Sequence, residues 1–165
     1  MTTKAPHTRE HAVVETRSAE ETREFASALA KAARAGDRIA LLGPLGAGKT
    51  QFAKGFAAGL GVREVVNSPS FTLMTEYAGR LPLFHQDLYR LAGAEEAIGG
   101  GMVDERQLDG VTLTEWAERL PGEIDPGRLT VQIAVLADDG RQVVVIPGAD
   151  DHLRYVDAAA EWAAR

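Results

Sequence analysis

The sequence contains no cysteine, which excludes disulfide bonds and thiolate metal sites. It also lacks any apolar run approaching the ~18 residues of a membrane-spanning helix, and residues 1–9 lack the apolar core of a signal peptide. We therefore expect a cytoplasmic protein that makes no contact with membranes.

Basic clusters are missing as well. The chain carries 18 basic and 24 acidic side chains, and its net charge is −6. Affinity for nucleic acid rests mainly on neutralising phosphates with Lys and Arg, so we expect no autonomous binding of RNA or DNA. At 165 residues and 45% hydrophobic content, the chain predicts a flexible N-terminal tail over residues 1–11 and a single domain over residues 12–165.

The most informative segment that is present is a phosphate-binding loop of the pattern G-x-x-x-x-G-K-[ST]. It consists of Gly43, Pro44, Leu45, Gly46, Ala47, Gly48, Lys49 and Thr50, and Gln51 completes the predicted nucleotide-binding set. The glycines let backbone N–H groups surround a phosphate, Lys49 adds a positive charge near the β- and γ-phosphates, and the Thr50 hydroxyl suits Mg²⁺. A turn without a ligand would explain the glycines but not the Lys-Thr pair.

The segments on either side of the loop supply the context that the motif needs. The short apolar run 38–42 predicts a buried parallel strand. From Lys49 to about Leu60 the apolar spacing predicts a helix, whose N-terminus directs a positive dipole end at the phosphates. Within this helix, Gly55 and Gly59 predict a close contact with the sheet.

The whole pattern predicts an α/β fold of the P-loop NTPase type, with a mostly parallel sheet flanked by helices and antiparallel hairpin additions. Ser18 and Glu21 form a capping-box signature for a first helix that continues until Gly36. The other predicted elements are strands at 12–15 and 111–115, hairpins of 71–77 with 81–87 and of 129–136 with 141–146, a helix over 95–107 that is broken at Gly99–Gly101, and a C-terminal amphipathic helix marked by Leu153, Val156, Ala160 and Ala163.

Two acidic residues at predicted strand ends are candidates for the chemistry. Glu115 can project at the carboxyl edge of the sheet, where ligands of open α/β folds bind, and would join Thr50 around Mg²⁺. Asp87 lies two residues after His85 on the same strand face and could orient the attacking water or the water shell of the metal. The pattern leaves the alternatives open that Glu115 is a solvated turn residue and that Asp87 caps a turn before Leu88.

A further candidate is a segment at the distance from the loop where nucleotide-dependent switches often occur. It comprises Ser68, Pro69, Ser70, Phe71 and Thr72, and the alternative is a plain proline turn that enters a strand. Trp116 could cover a base or a partner, although a Trp after a strand is more often part of the core.

Four blocks in this order together resemble the TsaE family, also called YjeE. They are 43–50, Ser-Pro-Ser-Phe-Thr at 68–72, His-Gln-Asp-Leu-Tyr-Arg-Leu at 85–91 and Glu-Trp-Ala-Glu-Arg-Leu at 115–120. The resemblance implies a P-loop ATPase of bacterial tRNA N6-threonylcarbamoyladenosine (t6A) synthesis that acts with the proteins TsaB and TsaD and reaches tRNA only through that complex.

The same resemblance implies ATP and Mg²⁺ as cofactors and a role for each matched residue. Lys49 and Thr50 would bind phosphate and Mg²⁺, Glu115 would be the Walker-B-like acid and a magnesium ligand, and Asp87 would be the other functional acid. Lys49, Asp87 and Glu115 are thus the implied catalytic residues, and residues 68–72 the implied switch-like loop.

Two other functions stay open at this level. A small-molecule kinase would share the length and the loop, but it would need an acceptor pocket and usually an Arg-rich lid, and no such cluster occurs. A nucleotide-dependent binding subunit with negligible turnover is the other alternative. A GTPase is disfavoured because the sequence has no Asn-Lys-x-Asp motif.

Overall fold

The computed structural model describes residues 10–69, 74–89, 104–119 and 127–165. Within these ranges the α-helices are α1 (Ala19–Ala30), α2 (Lys49–Gly59) and α3 (Leu153–Ala163). The strands there are β1 (Ala12–Thr16), β2 (Arg38–Leu42), β3 (Met74–Tyr77), β4 (Leu83–Asp87), β5 (Val111–Glu115), β6 (Leu129–Val135) and β7 (Arg141–Ile146).

The strands form one sheet in the order β1-β7-β6-β2-β5-β4-β3. Its centre is parallel, because β2 pairs in parallel with both β5 and β6, and β4 pairs in parallel with β5. The antiparallel pairs lie toward the two edges, where β3 joins β4 and where β7 joins β6 and β1. The predicted α/β fold with hairpin additions is therefore confirmed.

Helix α1 begins as predicted and ends earlier. The Ser18 side chain accepts a hydrogen bond from the Glu21 N–H at 3.0 Å, which caps the first turn. The helix ends at Ala30 rather than near Gly36, because the N–H groups of Ala32 and Ala33 bond to carbonyls three residues earlier and tighten the chain into turns.

Helix α2 packs closely against α1, which corrects the expectation that its glycines face the sheet. A Cβ at Gly55 would lie 2.1 Å from the Arg23 carbonyl oxygen, and one at Gly59 would lie 2.5 Å from that of Ser27. Only glycine allows this backbone approach. The contact fixes the direction of α2 and therefore the position of the loop that precedes it.

Helix α3 is where predicted and Val156 is buried as expected, but the rest of its buried face is different. The structure buries Tyr155, Val156, Ala159 and Trp162. Leu153 is 40% exposed, and Ala160 and Ala163 also face solvent. The reason is that two aromatic rings bury more apolar surface than Leu153 and two alanines, and the Trp162 ring packs edge-on against Phe25 with centroids 5.1 Å apart.

Several predicted segments lie outside the described residues. These are residues 1–9 of the predicted tail, positions 70–72 of the switch-like segment, and Gly99–Gly101 with most of the broken helix around it. The described end of that region is a 3₁₀ helix, Glu105–Asp109. In the part of the chain that the structure describes, no helix is both long enough and apolar enough to span a bilayer.

Candidate functional site

The carboxyl ends of the parallel strands bring the predicted site residues together. Strand β2 leads directly into the loop, and the β2–β5 register sets Leu41 beside Glu115. The β4–β5 register sets Asp87 beside Glu115. Residues separated by tens of positions in the sequence thus meet at one edge of the sheet, where open α/β folds bind their ligands.

The loop conformation depends on glycine. Gly43 has φ 154°, and a Cβ there would lie 2.6 Å from the carbonyl oxygen of Ile133 on β6. Gly48 has φ 106° and is the N-cap of α2, so no side chain caps the first N–H groups of that helix. A helix start of this kind directs backbone donors and a positive dipole end at an anion, and the loop therefore fits a phosphate.

Lys49 lies beneath the loop and is only 5% exposed. Its Nζ donates a hydrogen bond to the Gly43 carbonyl at 2.6 Å and lies 3.6 Å from the ring centroid of Trp116. Burial lowers the pKa of Lys49, while the negative charges of Glu118, Glu115 and Asp87 act in the opposite direction. The ammonium is thus held in place within reach of the loop interior.

Trp116 is not a core residue. It is partly exposed, its ring stacks at an angle on Tyr89 with centroids 5.0 Å apart, and its backbone has φ 56°, which is rare for a residue with a side chain. Unusual backbone at the residue after Glu115 is the kind of strain found at functional sites. The indole forms a wall of the site over the Lys49 ammonium.

Glu115 is buried, at 3% exposure, which contradicts the alternative of a solvated turn residue. Its Oε2 accepts a hydrogen bond from Ser68 Oγ at 2.9 Å and lies 2.6 Å from His85 Nε2. Thr50 Oγ1 lies 3.2 Å from Oε1 and 2.8 Å from Ser68 Oγ. Burial alone would raise the pKa of Glu115, but its interactions with His85, Ser68 and Thr50 outweigh burial and hold that pKa below its usual value. The carboxyl is therefore ionised.

The oxygen atoms around Glu115 fit magnesium bound to a nucleotide. Among the described residues, no group of three or more His, Cys, Asp or Glu side chains could bind a metal ion without help from a bound nucleotide. Mg²⁺ typically takes one or two protein carboxylates and completes its shell with phosphate oxygens and water. One carboxylate beside the Thr50 and Ser68 hydroxyls matches that requirement.

Asp87 lines the same cavity, which has a volume of about 360 Å³ and includes Lys49, Thr50, Ser68, Glu115 and Trp116 in its wall. Its Oδ1 accepts a hydrogen bond from the Tyr89 N–H at 3.0 Å. This hydrogen bond supports the capping alternative, and the position of Asp87 in the cavity wall is compatible with the functional one. Burial and the nearby charge of Glu115 raise the pKa of Asp87, against the opposing Tyr89 hydrogen bond, His85 and Lys49.

Two contributors were not assigned a role from the sequence. Arg141, at the start of β7, donates from Nε to the Ala47 carbonyl at 2.8 Å and from Nη2 to the Gly46 carbonyl at 3.4 Å. It thus binds two carbonyls of the loop. His85, noted only for its strand face, contacts Glu115 directly. The hydrogen bond from Arg141 to Ala47 spans 94 positions, so no local pattern signals it.

A second cavity of about 400 Å³ also borders the loop. Its wall includes Gly46, Gly48 and Gln51 together with Arg17, Ser18 and Arg141. Gly46, Gly48 and Gln51 line both cavities, so both cavities border the phosphate-binding loop.

Comparison with known proteins gives consistent matches. The model of the family described as "Threonylcarbamoyl adenosine biosynthesis protein TsaE" matches residues 16–143. The tRNA threonylcarbamoyladenosine biosynthesis protein TsaE of Treponema pallidum (strain Nichols) is 40% identical over 129 residues, which are 78% of this chain and 96% of that protein. The protein of the same name in Bacillus subtilis (strain 168) is 44% identical over 126 residues, covering 75% of this chain and 78% of that one.

A solved structure agrees with these matches. The crystal structure of Bacillus subtilis YdiB superposes with a TM-score of 0.74 at 34% sequence identity, and the match covers 94% of this chain and 97% of that one. Helix α3 lies beyond the residues that the family model matches.

Proposed function

Because this chain belongs to the TsaE family of threonylcarbamoyl adenosine biosynthesis proteins, we propose that it binds ATP with Mg²⁺ at the phosphate loop and hydrolyses the ATP to ADP and phosphate. The observation that carries the proposal is the contact of Thr50, the last residue of the loop motif, with Glu115 at the end of β5. A binding loop alone does not hydrolyse, but a loop joined to a buried carboxylate has the parts that phosphoryl transfer needs.

Each residue of the site has a task in this proposal. Lys49 leaves the Gly43 carbonyl and the Trp116 ring to contact the β- and γ-phosphates, and the N–H groups at the start of α2 hold the phosphate oxygens. Thr50 and Glu115 hold the metal. When bound, Mg²⁺ neutralises charge that develops on the phosphate oxygens. Asp87, fixed by the Tyr89 N–H, orients the attacking water.

The proposed partners are TsaB and TsaD, in the cytoplasm. A net charge of −6 leaves this chain poorly suited to hold tRNA by itself, so tRNA would be held by the complex. Ser68 contacts both Thr50 and Glu115, and it therefore links nucleotide at the site to the segment that follows it. ATP should then change the affinity for TsaB–TsaD, and the partners should change the affinity for ATP by the same factor.

The test is phosphate release by the wild-type chain alone and after addition of TsaB, TsaD and tRNA. We expect slow release alone and faster release in the assembly, because partner contacts at the residue 68 segment hold the catalytic geometry. ATP binding without phosphate release in either condition would favour a binding subunit without turnover. Transfer of phosphate to a small molecule would favour a kinase.

A further inference from the structure

His85 is fully buried on β4, and its two ring nitrogens have different environments. Nε2 lies 2.6 Å from Glu115 Oε2. Nδ1 has no hydrogen-bond partner among the described residues. A carboxylate oxygen only accepts hydrogen bonds, so Nε2 carries the proton and donates it to Glu115.

This hydrogen bond selects which oxygen of Glu115 is available at the site. Oε2 is engaged by His85 and Ser68, whereas Oε1 is directed at Thr50. Rotation of the carboxyl group would break its shortest hydrogen bond. Residues that bind to a metal ligand from behind orient that ligand in this way.

We propose that His85 is a positioning residue that holds Glu115 Oε1 toward Thr50, and thereby sets the affinity of the nucleotide-bound site for Mg²⁺. The inference deepens the proposed function and rests on it. A core role alone does not explain the imidazole, because a buried ring nitrogen without a partner costs stability that an apolar side chain of the same size would avoid. The benefit of a histidine here comes from Nε2, which contacts Glu115.

The two amide substitutions of histidine separate these nitrogens. His85→Gln places an amide nitrogen about as far from Cα as Nε2 and keeps a donor for Glu115. His85→Asn reaches only as far as Nδ1, where the structure shows no partner. If His85 had only a structural role, the effects of the two variants would depend on how well each side chain packs. If His85 positions Glu115, the effects depend on whether the variant keeps a donor to Glu115.

The experiment measures the affinity of each variant for a fluorescent ATP analogue, first in EDTA and then during a Mg²⁺ titration. We expect equal affinities in EDTA. The measured quantity is the Mg²⁺ concentration that produces half of the change in affinity for the analogue. We expect this concentration to stay within about 3-fold of wild type for His85→Gln and to rise about 10- to 100-fold for His85→Asn, because a residue that orients a metal ligand is lost. If His85→Asn does not fold, His85→Met replaces it as the variant without a donor.

His152 provides a matched control, since it is also buried but accepts the Gly148 N–H through Nδ1 at 3.0 Å. His152→Asn and His152→Gln should change thermal stability without changing the Mg²⁺ requirement. An equal Mg²⁺ requirement for His85→Gln and the donor-free variant would overturn the positioning role while leaving ATP binding intact. Failure of the wild-type chain to bind the analogue at all would overturn both this inference and the proposed function.

Discussion

Two buried carboxylates at opposite ends of the neighbouring strands β2 and β5 have contrasting environments. Asp37 directly precedes β2, and both of its oxygens bond to the Arg154 guanidinium at 2.7 and 2.8 Å. The Tyr155 hydroxyl and the Arg34 N–H, the latter at 2.9 Å, donate to it as well. Glu115 ends β5 and bonds instead to hydroxyls and an imidazole.

This difference is what we expect between a structural carboxylate and one that is proposed to bind a metal. At Asp37 a guanidinium that belongs to α3 neutralises the charge permanently, and the helix is thereby attached to the loop before β2. At Glu115 no Lys or Arg in the described residues makes an ion pair. Its hydroxyl neighbours can rotate away, so the charge is available to a cation that arrives with a ligand.

The largest effect is expected for Asp37→Ala. It leaves the Arg154 guanidinium, with 14% of its side chain exposed, without its main partner. We expect a loss of about 3–5 kcal/mol in the free energy of unfolding, measured in urea. Asp151→Ala is the matched control, because Asp151 contacts the same guanidinium from an exposed position and should cost less than about 1 kcal/mol. Equal losses in the two variants would contradict the structural role of Asp37.

Glu115→Gln tests the other carboxylate. The amide preserves the volume and removes the charge, so we expect a stability change of about 1 kcal/mol or less and a fall in ATP hydrolysis of about 100-fold in the assembled complex. Glu161→Gln, on the exposed side of α3, removes the same charge away from the site and should leave hydrolysis unchanged. Wild-type turnover by Glu115→Gln would exclude its proposed role.

Arg141 differs from Arg154, because its guanidinium lies beside the loop and bonds to backbone carbonyls rather than to a carboxylate. In Arg141→Lys, the lysine keeps the charge but cannot reach Ala47 and Gly46 with a planar fork. We expect the affinity for ATP to fall about 10-fold, which corresponds to about 1.4 kcal/mol. Titration calorimetry measures the change, with exposed Arg63→Lys as the control. An unchanged affinity would show that Arg141 does not shape the loop.

The smallest expected effect is on the stability of the protein at acidic pH. Burial opposes ionisation of Asp37, but bonds from Arg154, Tyr155 and Arg34 outweigh it and hold the pKa of Asp37 below its usual value. A lowered pKa contributes stability that is present above the unfolded-state value and is lost as pH falls. We expect the unfolding free energy to decline below about pH 4, and the decline to be smaller in Asp37→Asn, which lacks the titrating carboxyl group. Parallel pH profiles would show that Asp37 does not contribute.

Much of the fold and part of the site could be predicted from the sequence because their signals are local. The loop is a run of consecutive residues, and a strand that ends in Glu115 predicts a carboxylate at the edge of the sheet. Of the predicted apolar face of α3 only Val156 is buried. The burial of Tyr155 and Trp162 depends on their contacts with Asp37 and Phe25, which lie far away in the sequence. The contacts of Arg141 with Ala47 and of His85 with Glu115 could not be predicted in this way. They depend on strand order and register, which bring together residues 94 and 30 positions apart.

We propose that the loop and Glu115 form one ATP site, and calorimetric titration of ATP with Mg²⁺ into the wild-type chain and Lys49→Ala tests this proposal. We expect binding to the wild type and about a 10- to 100-fold weaker affinity for Lys49→Ala, because a charge-assisted contact to phosphate is lost. Lys31→Ala, which removes an exposed lysine after α1, should bind as the wild type does. Equal ATP affinity of Lys49→Ala and the wild type would contradict a site formed by the loop and Glu115.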